Sequence, residues 1–108
     1  MTPTQRVTDP TAPTTSLLTD MYELTMLQGA LRSGTAERAS VFELFGRRLP
    51  ASRRFGVVAG TGRLLDAVEA FAFTGRQIDF LHRTQVVDDA TLDYLREYHF
   101  SGTIRGYA

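Results

Sequence analysis

The stretch TGRLLDAVEAF, residues 61–71, constrains the fold more than any other part of the chain. Leu64, Leu65, Val68 and Phe71 recur at helical spacing and fall on one face, with Thr61 placed as a good N-cap. It is the cleanest amphipathic helix in the chain. RFGVVAG, residues 54–60, reads as a strand, and SVFELF, residues 40–45, reads as a mostly buried strand interrupted only by Glu43. The polar loop GRRLPASRR with Pro50 lies between them, so a wide hairpin is expected.

Three further helices are expected. The first covers residues 20–33, with Leu24, Leu27 and Leu31 at helical spacing and Gly34 as its left-handed terminator. Asp20 and Glu23 stand at capping-box spacing, and both acids suit the positive end of the helix dipole. Thr74 and Gln77 form a second such pair ahead of Ile78 and Leu81. The run DDATLDYLREY gives the last helix, with Leu92, Leu95 and Tyr98 aligned and acids at its start. HFSGTIRGYA, residues 99–108, reads as extended, and a strand bare at a terminus suggests a longer parent polypeptide. The expected fold class is α/β, of an α+β-like kind.

At 108 residues the chain is one small domain or a piece of a larger protein. Its 12 basic and 12 acidic residues cancel, so nothing draws the whole chain to nucleic acid or an anionic membrane. Without cysteine there is no disulfide framework and no thiolate metal site. Residues 1–15 are rich in Thr and Pro and lack an apolar run, which predicts a disordered tail and not a secretory signal. No segment has the apolar length of a membrane span. A soluble, cytoplasmic protein is expected.

Few constellations point to chemistry. The Gly60-Thr61-Gly62 turn before a helix could cradle phosphate, but the third glycine of a dinucleotide fingerprint and the Lys-Ser/Thr of a Walker loop are missing. A tight turn is the simpler reading. Arg47, Arg48, Arg53 and Arg54 make a basic loop with no aromatic inside it to stack a base, which fits a solvated tip. His82 and His99 are far apart in sequence and sit near helix C-termini, where positive charge is favoured. Tyr22, in the first turn of the first helix, reads on these grounds as a half-buried core aromatic.

SLLTDMYELTM, SVFELFGRRLP, RFGVVAGTGRLLDAVEAF and DDATLDYLREYHFSGTIRGYA occur here in an order that resembles the N-terminal part of nicotinate phosphoribosyltransferases. The likeness covers residues 16–108 and is most specific in the Thr-Asp-x-Tyr block and its spacing to Phe-Glu-Leu-Phe. It implies an enzyme of NAD salvage that joins nicotinate to 5-phosphoribosyl 1-diphosphate, with ATP as co-substrate and Mg2+ required. It also implies a homodimer, and an N-terminal α/β domain followed by an α/β barrel that lies outside this chain. The family's phosphorylated histidine and phosphate-binding residues belong to that barrel, so no catalytic residue is expected here. By the resemblance, Tyr22 stacks on the pyridine ring, reaching into the partner's site in a homodimer, with Thr19 and Asp20 in support. Two other readings stay open: a nicotinamide-using relative, and a stand-alone module whose arginine loop meets RNA or a protein.

Overall fold

The computed structural model describes residues 14–106, and their regular structure is four helices: α1 (Met21–Ser33), α2 (Thr61–Glu69), α3 (Gly75–Thr84) and α4 (Asp89–Glu97). The tail expected over residues 1–15 falls, up to residue 13, outside the described residues, as do the last two residues of the stretch expected to be extended.

α1 begins where its caps place it. The Asp20 N–H donates to Glu23 Oε2 at 2.9 Å, which forms one arm of the capping box. The Glu23 N–H donates to the Asp20 backbone carbonyl at 3.3 Å, while the Asp20 carboxylate makes the looser arm. At the other end Gly34 takes φ 74°, and the Thr35 N–H closes back on the Ala30 carbonyl at 2.8 Å. That is a Schellman-type stop, and it depends on a residue without a Cβ.

α3 carries the better-formed box. The Gln77 N–H donates to Thr74 Oγ1 at 3.2 Å, and the Thr74 N–H donates to Gln77 Oε1 at 2.9 Å. α4 is capped by Asp88, whose Oδ1 accepts the Thr91 N–H at 2.9 Å and the Thr91 hydroxyl at 2.6 Å. The second bond lets Thr91 sit buried with its polar atom satisfied.

α4 is the hub, with α3 and α1 both packed on it. The core is Leu24 from α1, Phe73, Ile78, Leu81, Val87, and Leu92 and Leu95 from α4. Phe71 stands edge-on to Phe73 at 5.7 Å and to Tyr98 at 5.9 Å between ring centroids, extending the core as an aromatic step. Outside the core, Arg32 Nη2 reaches Asp88 Oδ2 at 2.9 Å, and the Asp88 N–H donates to Gln28 Oε1 at 2.6 Å. α1 is thus clasped to the start of α4 by polar as well as apolar contact.

The α/β expectation is overturned. Among the described residues there is no strand, and the fold is all-helical. The runs at 40–45 and 54–60 remain solvent-exposed without a ladder, Val41 at 94% and Phe42 at 91%. The hairpin between them is reduced to a turn, with the Arg53 N–H on the Pro50 carbonyl at 2.8 Å. The described part of the final stretch is not a strand either. β-rich composition says only that a segment suits a pleated, half-buried surface. A strand exists when a neighbour takes up its N–H and C=O groups, and here the two runs do not pair.

The helix expected over residues 61–71 forms, but it is capped one residue earlier, by Gly60 at φ 87°, and ends at Glu69. α2 packs on none of the other helices, and Leu64 and Leu65 stay exposed. Phe71, expected on its apolar face, belongs instead to the aromatic step beside α4.

Candidate functional site

α1 presents two apolar faces. Leu17, Leu24 and Leu27 turn toward the core. On α1, Tyr22 and Met26, spaced four apart, are instead 57% and 66% exposed, and Leu18, just ahead of the helix, is 82% exposed. An ordinary amphipathic helix would carry polar residues there. Tyr22 is therefore no core aromatic: its side chain is open to solvent one turn ahead of exposed Met26.

Its backbone is well anchored. Tyr22 lies inside the capping box, between Asp20 and Glu23, and its carbonyl accepts the Thr25 hydroxyl at 3.1 Å. Thr19 and Asp20 are exposed at the helix start, within one turn of the ring. Nearby, a groove of about 560 Å³ opens between the start of α1, residues 71–73 and α4. Leu18, Leu24, Phe71, Phe73, Tyr94 and Tyr98 give it apolar walls, and Thr19 and Glu23 stand on its rim. Tyr22 does not line the groove, although Thr19, three residues before it, does.

Electrostatics mark two groups that sequence reading did not single out. Asp88 is held below the usual carboxylate range, first by the Thr91 hydroxyl, then by the Thr91 N–H, with Arg32 adding to it against the opposing effect of burial. The Tyr94 phenol, on the groove wall, is pushed up by burial and by the Glu37 carboxylate beside it. Arg32 and Asp88 are far apart in sequence, so no local pattern could have announced their pairing. The two acids of the DDATL run were legible only as helix-start charges.

Other sequence candidates remain dispersed. Arg47, Arg48, Arg53 and Arg54 are all exposed. His82 lies in the last turn of α3 with Nε2 3.7 Å from Asp89 Oδ1, and His99 follows α4 in an exposed position. Among the described residues no group of three His, Cys, Asp or Glu side chains could hold a metal ion. No described helix is long and apolar enough to cross a membrane.

Comparison with known proteins agrees with the motif order. Residues 17–108 match the family described as nicotinate phosphoribosyltransferase (NAPRTase) N-terminal domain. Nicotinate phosphoribosyltransferase pncB1 of Mycobacterium tuberculosis is 58% identical over 92 residues, covering 85% of this chain and 20% of the relative. The nicotinate phosphoribosyltransferase of Bacillus subtilis is 38% identical over 66 residues, covering 61% and 14%. The human enzyme of that name is 40% identical over 65 residues, covering 60% and 12%. The chain thus spans a fifth or less of the length of these relatives. No solved structure matches it.

Proposed function

Since this chain belongs to the nicotinate phosphoribosyltransferase family through residues 17–108, we propose that it serves as the N-terminal part of an enzyme making nicotinate mononucleotide from nicotinate and 5-phosphoribosyl 1-diphosphate. The carrying observation is the family match over nearly the whole chain, together with 58% identity to a relative of that name. ATP assists the reaction, the enzyme acts as a homodimer in the cytoplasm, and the chain contributes recognition and not the reacting groups. Tyr22 is the recognition element. A flat aromatic on an exposed, capped first turn offers its π face to an electron-poor pyridine ring at small conformational cost. The ring is 57% exposed and lies outside the groove beside α1, which leaves its face open to another surface. Thr19 and Asp20 fix the turn on which the ring stands.

The test is a chimera. Residues 17–108 replace the matching segment of the mycobacterial relative, and nicotinate mononucleotide formation is measured. The chimera is expected to turn over. Tyr22→Phe keeps the π face and should leave the nicotinate KM nearly unchanged. Tyr22→Ala removes a contact of about 1 kcal/mol beyond the lost area burial, so KM should rise by about fivefold or more. A folded chimera without activity would refute the assignment. A nicotinate KM indifferent to Tyr22→Ala would refute the role of the ring.

A further inference from the structure

Among the described helices, α1 packs on α4 and not on α3. Its C-terminal end is held to the start of α4 by Gln28 and Arg32. The other end, which carries Tyr22, is joined to α3 by the short segment ahead of it. The Thr14 hydroxyl donates to the Ala72 carbonyl at 2.5 Å, and Gln77 Nε2 donates to the Thr14 carbonyl at 3.5 Å. Thr14 Oγ1 also accepts the Ser16 N–H at 3.3 Å and lies 3.2 Å from Gln77 Oε1. A hydroxyl has one proton to give, and the Ala72 carbonyl is the closest acceptor. Gln77 belongs to the capping box of α3, so Thr14 rests on the start of that helix.

Little slack remains between Thr14 and α1. Ser16 is 2% exposed, Leu17 packs against the core, and the Leu18 N–H closes a turn on the Thr15 carbonyl at 3.0 Å. Asp20 then caps the helix. The box of Asp20 and Glu23 shapes the first turn, but its bond is exposed and local, so it does not set where the turn stands on the rest of the fold.

We infer that Thr14 is a positioning residue: by tying the lead-in of α1 to Ala72 and to the Gln77 cap of α3, it sets where the Tyr22 ring stands. The consequence for nicotinate rests on the role proposed for Tyr22, whereas the placement of the ring does not.

Placement is measured on the 108-residue chain, which has no tryptophan, so Tyr22→Trp supplies a single reporter. Thr14→Val keeps the side-chain shape and leaves the Ala72 carbonyl without that donor, while Thr14→Ser keeps the hydroxyl. With Thr14→Val, the time-resolved anisotropy of the indole is expected to gain a larger fast component. It should return to the parent decay with Thr14→Ser, and far-UV circular dichroism should stay unchanged throughout. An indole whose motion ignores Thr14→Val would overturn the inference.

The consequence is measured on a chimera of the mycobacterial relative that carries residues 1–108 as its N-terminal part. Thr14→Val should raise the nicotinate KM by about threefold with kcat unchanged, and Thr14→Ser should restore it. In the Tyr22→Ala background, Thr14→Val should move KM no further. A hydroxyl of purely structural value would lower Tm and kcat and leave KM alone. An equal KM rise in both backgrounds would show that Thr14 acts without the ring. Either result would overturn the inference. A KM indifferent to Tyr22→Ala would instead refute the role of the ring, and the indole anisotropy would still decide its placement.

Discussion

Leu92→Ala tests where the stability of this chain resides. Leu92 is 1% exposed and lies on α4, the helix that both α1 and α3 pack against. The substitution removes three carbons, worth about 2.4 kcal/mol at roughly 0.8 kcal/mol per methylene. An unrelaxed cavity raises the cost of such changes to as much as about 5 kcal/mol, depending on how far the site collapses. α3 and α4 are short, at 10 and 9 residues, and can settle partly into the void, so we take about 3 kcal/mol. For a domain of this size each kcal/mol shifts the midpoint by roughly 4–8 °C, giving a fall of about 12–24 °C. The assay is thermal unfolding followed by far-UV circular dichroism, with Tyr22→Ala as comparator. Tyr22 is 57% exposed, so its loss should cost about 1 kcal/mol or less. If Leu92→Ala lowered Tm no more than Tyr22→Ala does, α4 would not be the centre of the fold and the division between core and site would fail.

Two further outcomes follow from the termini and the polar clasp. Gly34 sits at φ 74° with open space around it, so Gly34→Ala meets backbone strain alone, about 1–2 kcal/mol. Tm should fall by several degrees and recover in part with Gly34→Asn, and an unchanged Tm would refute the Schellman stop. Asp88 has a folded-state pKa below its ordinary 3.8, so its contribution is present above that value and is lost as the pH drops through the lowered pKa. Asp88→Asn keeps an N-cap acceptor but removes the charge facing Arg32, so its Tm should be lower at neutral pH and should decline less below about pH 4. Parallel acid profiles for the two proteins would show that Asp88 is not responsible.

The helices were legible because their determinants are local. Asp20 with Glu23, Thr74 with Gln77, and Gly34 after the last turn act within a few residues, and the structure uses each of them at its own helix end. Core leucines were legible for the same reason: the spacing of Leu92 and Leu95, or of Ile78 and Leu81, needs only one helix face to be specified. The motif order that marks the family is likewise written in the chain and needs no folding to be read.

What lay beyond the sequence was every question of partnership. SVFELF and RFGVVAG have strand-like composition, but only tertiary structure decides whether a neighbour accepts their backbone hydrogen bonds, and here they are exposed and unpaired. The amphipathic face at 61–71 called for cover, yet α2 stands clear of the other helices and Phe71 turns to Tyr98 instead. Tyr22 read as half-buried from its residue type, whereas the docking of Leu24 and Leu27 left Tyr22, in the first turn of α1, open to solvent. The Arg32–Asp88 clasp joins residues brought together only when α1 meets α4. Helix starts, stops and faces are set by neighbours in sequence, while burial and pairing belong to residues that meet only in space.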